Sequence, residues 1–242
     1  HLVPLLIIIF ACYNSPGCTL RMLQLALREF DMDSAVRTRV DEGHDVQVLF
    51  EMTLKNLTDN GGIDHQDFLE RVDLLGAAES ELGRDAKIVV SNYGEFHRLA
   101  GYLFRHTRAP LGVVLGVPTL KEIFEEHWYE DLEGGLLESC GRLFQNNLRL
   151  YVYPWRDPAT GIVGAEDFRP EPHLHKLYEF LCHNGSIRAL SEEEDAHLDI
   201  RSRDVLKKIR AGGSDWEALV PKSVAALIRE RGLLGYLTDR GN

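Results

Sequence analysis

Three short apolar runs separated by helix-length amphipathic stretches occupy the middle of this chain, and they limit what it can fold into more than any other feature. Residues 87–91, 111–116 and 148–153 are rich in Val, Ile, Leu or Tyr, and polar or glycine residues follow each run. Such runs suit strands covered on both faces, and strands linked through helices pair in parallel with right-handed crossovers. Between the first two, Phe96, Leu99, Leu103 and Phe104 recur at the spacing of one helix face. Parallel sheets take ligands outside the carboxyl ends of their strands, so the segments beginning at Ser91, Gly116 and Tyr153 form the expected rim of any site.

At 242 residues, 44% hydrophobic and 27% charged, the chain can bury a sizeable core and reads as an ordinary soluble globular protein. Its formal net charge of -11 argues against a general electrostatic grip on nucleic acid or on an anionic membrane surface. A local basic pocket is compatible with that balance. Cys12, Cys18, Cys140 and Cys182 show no paired CxxC spacing, which predicts reduced thiols in a cytoplasmic protein. The Cys12 and Cys18 pair could instead close a loop or hold a metal with a histidine. Residues 2–11, "LVPLLIIIFA", are too short to span a bilayer, which takes roughly 20 apolar residues. They read as a buried strand, with a signal-peptide core as the other reading.

Residues 20–30 carry Leu20, Leu23, Leu27 and Phe30 on one helix face, and residues 33–40 form a second short helix capped by Asp33 or Ser34. Residues 45–54 fit either a strand or the start of a helix. Asn60, Gly61 and Gly62 make the clearest loop of the first third, and Asp64 is a candidate N-cap for a helix after it. That loop is the expected boundary between a mainly helical N-terminal extension over 1–62, the remnant of a preceding domain, and an α/β domain over 63–242. Gly134 and Gly135 enter a further helix and could cradle a phosphate or simply turn the chain. His173 and His175 stand two apart in a long loop, with no carboxylate or cysteine to complete a metal set.

The C-terminal stretch, residues 200–236, holds two helices. Val205 and Ile209 lie on the first, and Val220, Val224, Leu227 and Ile228 on the second, with Gly212 and Gly213 between them. The order Ile200, Ser202, Ile209, Gly212, Val220, Pro221, Val224, Ile228, Leu233, Tyr236 resembles the closing segment of the nucleotidyltransferase superfamily, especially bacterial nicotinate-nucleotide adenylyltransferases. Gly116, Thr119, Leu120 and Trp128 are similar to that family's "GADTL" strand end and the tryptophan after it. Together these pieces cover roughly residues 85–236.

The resemblance implies a Rossmann-like parallel sheet with helices on both faces. It also implies transfer of an adenylyl group from ATP, carried with Mg2+, to a mononucleotide, a step of NAD biosynthesis. Its substrate-binding residues would be Asn92, His97, Gly116, Thr119, Trp155, Ser202 and Arg203, with Ser202 opening a phosphate-binding helix. The partner would be a small-molecule nucleotide, with no nucleic acid and no membrane, and a homo-oligomer left open. Pro118 stands where the family has Asp, Leu206 where it has Arg, and the His-x-Gly-His signature is not found. The expectation is therefore weak nucleotide binding with slow or no dinucleotide formation, the same fold serving a non-catalytic nucleotide-binding or scaffold protein as the alternative. The missing signature would lie upstream of His1, or the fold is kept without the chemistry.

Overall fold

The computed structural model describes residues 5–9, 16–54, 65–192, 198, 200 and 202–236. The first half of the chain runs β1 (Leu5–Ile9), α1 (Pro16–Met32), α2 (Ser34–Asp41), β2 (Gln47–Thr53), α3 (His65–Glu79), β3 (Ala86–Ser91) and α4 (Phe96–Leu103). It continues through β4 (Leu111–Gly116), α5 (Val117–Ile123), α6 (Gly135–Leu143), β5 (Arg149–Tyr153), and the short strands β6 (Trp155–Asp157) and β7 (Gly161–Val163). Then come α7 (His175–His183), β8 (Ile187–Ala189), α8 (Ser202–Arg210) and α9 (Lys222–Arg231).

Six strands make one sheet in the order β3-β2-β1-β4-β5-β8, and every neighbouring pair is parallel. The protein is therefore an α/β structure built on a parallel sheet. All three runs of the middle segment are strands, within a residue of the expected bounds. Strand alternation sends successive side chains to opposite faces, and both faces are covered. Leu49, Val113, Leu115, Leu150 and Val152 pack with residues of α4, α5, α6 and α7. Val48, Phe50, Val114, Tyr151 and Tyr153 pack with α1, α2 and α3.

The expected helical extension is corrected by the sheet. β1 lies between β2 and β4, in register with 47–51 on one side and 111–114 on the other. Both β1 and β2 precede the Asn60 to Gly62 loop, whose own residues lie outside the described ones. The reason is non-locality: a central strand is stabilised by partners about forty and a hundred residues away, which local periodicity does not reveal. The same pairing settles residues 45–54 as a strand.

Asp33 caps α2, its Oδ1 accepting the Ala35 N–H at 2.9 Å. Its other carboxylate oxygen is ion-paired with Arg149, and with Arg188 at 3.3 Å. Those cations sit on β5 and on the edge strand β8, so one side chain caps α2 and ties both strands to it.

The C-terminal helices form a third apolar cluster against Leu74 and Ala78 of α3, centred on Trp216, which is 0% exposed. Val220, Val224 and Ile228 face inward as their spacing predicts. The Trp216 indole N–H donates to the Gly213 carbonyl at 2.8 Å, and α9 ends at Gly232 with φ 66, a left-handed turn that glycine adopts without strain. Among the described residues no helix is long and apolar enough to cross a membrane.

Candidate functional site

The direction of strand addition locates the site. From β1 the chain steps outward to β2 and β3, returns to β4 on β1's other side, and then proceeds through β5 to β8. The segment leaving β1 enters α1 on one face of the sheet and the segment leaving β4 enters α5 on the other. Where the helices following adjacent parallel strands lie on opposite faces, such sheets as a class bind ligands at the strands' carboxyl ends. Residues 10–15, between β1 and α1, lie outside the described residues, and with them Cys12. The Cys12 and Cys18 pairing is not decided by the described residues.

On the β4 side Gly116 ends the strand, opposite Tyr153 of β5, and passes directly into α5. A Cβ at Gly116 would meet only Pro118 Cδ, at 3.5 Å, an ordinary contact. Packing alone therefore does not demand glycine there. Thr119 is half-buried in the first turn of α5, and two residues on, Lys121 places its Nζ 5.8 Å from the centre of the Trp155 ring. Gly116 and Trp155 thus stand at the carboxyl ends of adjacent strands, and Thr119 lies in the helix that Gly116 opens. Trp155 sits in a hairpin where the sequence suggested only a loop, because three-residue strands are too short to show alternation. The turn between the two strands is held by Asp157, its Oδ1 accepting the N–H groups of Ala159 at 2.8 Å and Thr160 at 3.2 Å.

Beside that neighbourhood lies a charge cluster that sequence reasoning missed. Arg21, in the second turn of α1, donates from Nε and Nη2 to the two oxygens of Glu192 at 2.9 and 3.0 Å. Tyr153 donates its hydroxyl to the same carboxylate at 2.9 Å. The Glu192 side chain is 0% exposed. It closes the carboxyl end of β5 against α1 by a contact spanning 171 residues of sequence. The signal available in advance was a cation early in the helix that follows the first strand; its partner had none.

Asn92 and His97 form a second group at the end of β3, three strands from β4, or about 14 Å at ordinary strand spacing. One ligand touching both groups must be that long. Asn92 is exposed next to Ser91, whose hydroxyl donates to Glu51 Oε1 at 2.6 Å. Glu51 is 2% exposed on β2, and burial pushes its carboxyl above the usual range, partly offset by the Ser91 hydrogen bond. Thr53 donates to the Tyr93 carbonyl at 3.0 Å, fastening the same corner. A carboxylate inside the run "VLFEM" was the legible sign of this site.

His97 is 4% exposed, turned into the helix layer, with Nδ1 3.2 Å from Ser139 Oγ on α6. Burial first, then Arg98, holds its imidazole below the usual pKa. The spacing of Phe96, Leu99, Leu103 and Phe104 leaves His97 off the apolar face of α4, and it is buried all the same because α6 packs where a lone helix would meet water.

Ser202 and Arg203 open α8, whose later residues Val205 and Ile209 pack in the third cluster. Gly134 and Gly135 are turn glycines: the Gly134 N–H donates to Glu138 Oε2 at 2.9 Å, and Gly135 adopts φ 52. His173 is bonded to Glu126 at 2.7 Å and His175 to the Pro170 carbonyl at 2.9 Å, each engaged separately. Among the described residues no group of three or more His, Cys, Asp or Glu side chains could hold a metal ion. Neither the models of known protein families nor the curated proteins include a match to this sequence.

Proposed function

We propose that this chain is a nucleotide-binding protein with a Rossmann-like, doubly wound sheet, taking a phosphate-bearing ligand in the crevice between the carboxyl ends of β1 and β4. One observation carries the reading: the order β3-β2-β1-β4-β5-β8, whose direction of addition reverses between β1 and β4. Gly116 leaves room for a close approach, Thr119 supplies a hydroxyl, and Trp155 with Lys121 supplies an aromatic face and a cation. Ser202 and Arg203 would meet phosphate at the start of α8, as the resemblance to nicotinate-nucleotide adenylyltransferases implies. The free thiols Cys140 and Cys182 support a reducing, cytoplasmic setting.

Adenylyl transfer needs phosphate charge neutralised and reactants aligned more than it needs covalent help. Mg2+ would arrive on the triphosphate, where it would neutralise phosphate charge. Pro118 and Leu206, standing where the family has Asp and Arg, favour binding without efficient transfer. Titrating ATP with and without Mg2+ tests the reading, and saturable binding is expected. Ser202→Ala with Arg203→Ala should weaken it by roughly 1.5 to 3 kcal/mol per lost charge-assisted contact. No saturable binding of ATP or of nicotinate mononucleotide would remove the proposal. Rapid pyrophosphate release from the two together would show that transfer is intact.

A further inference from the structure

Away from the strand ends of β1 and β4, the packed helices α4 and α6 line a cleft of about 270 Å³. Its lining includes Tyr93, His97, Arg98, Arg105, Arg142 and Gln145. In a chain of net charge -11, three guanidinium groups on one small cleft are a marked local reversal. Two have acidic neighbours: Arg98 lies 3.2 Å from Glu95 and Arg142 lies 2.5 Å from Glu138. Arg105 is exposed and makes no ion pair among the described residues.

The cleft also contains a buried group in want of a partner. His97 Nε2 is buried and has no hydrogen-bond partner among the described residues. The ring's other nitrogen, Nδ1, lies 3.2 Å from Ser139 Oγ. Facing this ring are Glu95 and Arg98 from its own end of α4, Glu138 and Arg142 from α6, and neutral Tyr129 from the 3-10 turn Glu126–Tyr129.

We infer that this cleft binds the phosphate group of a small aromatic monoester, separately from the strand-end crevice. Arg105 and Arg142 donate to its oxygens, one of those oxygens hydrogen-bonds with His97 Nε2, and the exposed rings of Tyr93 and Tyr102, 5.9 Å apart, flank the ester group. The volume lies just below the range of drug-sized pockets, which suits a fragment rather than a large cofactor.

The test uses the full chain with inorganic phosphate and phenyl phosphate, by calorimetry and by 15N resonances of the histidine rings. Both probes are expected to saturate, phenyl phosphate more tightly. Arg105→Ala and Arg142→Ala should each weaken both by about tenfold or more, and the His97 Nε2 resonance should move. Arg105 is exposed and makes no ion pair among the described residues, so its variant folds and reports on the ligand. Lack of saturation, or affinities unchanged in both arginine variants, overturns the site even if ATP still binds at the strand ends. Equal affinity for the two probes overturns the ester part.

Discussion

Arg21 and Arg105 are the same residue type in opposite situations. Arg21, at the strand-end rim, is held by both oxygens of a carboxylate that solvent does not reach, and Tyr153 shares that carboxylate. Arg105 stands in water on the α4 and α6 cleft with no ion pair among the described residues. The difference teaches where each charge acts. A buried, fully hydrogen-bonded ion pair fixes geometry and is costly to break, whereas an unpaired surface cation does little for stability and is available to a ligand. The rim is thus assembled in the free protein, and the cleft is incomplete without an anion.

The largest effect expected is from Glu192→Ala. It leaves a guanidinium and a buried phenol without their acceptor and should cost about 2 to 4 kcal/mol in urea unfolding, the lower end reflecting Arg21's partial exposure. Replacing both partners, Arg21→Met with Glu192→Leu, should recover most of that loss. A single variant as stable as the parent would erase the contrast between the two arginines.

Gly116→Ala comes next and acts on binding. With only Pro118 Cδ near its Cβ, stability should change by under about 1 kcal/mol, while ATP affinity should fall by about tenfold if the crevice receives the ligand. Equal losses of both would mark Gly116 as a packing residue instead. Arg105→Ala should alter unfolding by no more than about 0.5 kcal/mol. A larger shift would mean that this cation is already paired in the free protein.

The smallest effect concerns Glu51. Its folded pKa is raised, so its stabilising contribution is fully present below the unfolded value of 4.5 and is lost as pH rises through the folded value. Glu51→Gln keeps an acceptor for the Ser91 hydroxyl without the charge. The variant should gain on the parent as pH rises from about 4.5 toward neutrality, read from unfolding midpoints across that range. A gap that does not change with pH would show that Glu51 titrates as an exposed carboxylate does.

The sequence by itself determined the elements whose information is local. The runs at 87–91, 111–116 and 148–153 are strands because consecutive β-branched and aliphatic residues need cover on both faces. The cap of α2 at Asp33 and the inward face of Val220, Val224 and Ile228 follow equally from spacing alone. Gly116 and Trp155 were legible as residues at or just beyond strand carboxyl ends because such an end is visible in the chain itself. Tertiary structure decided everything that depends on distant partners. It put residues 5–9 at the centre of the sheet rather than in an extension, since a strand's place is set by which edges it can pair with. It buried His97 by laying α6 against α4, and it joined Arg21 to Glu192 across 171 residues. A side chain's periodicity states which way it faces on its own element, but only the neighbouring elements fix whether that direction leads to water, to apolar contact or to a charge.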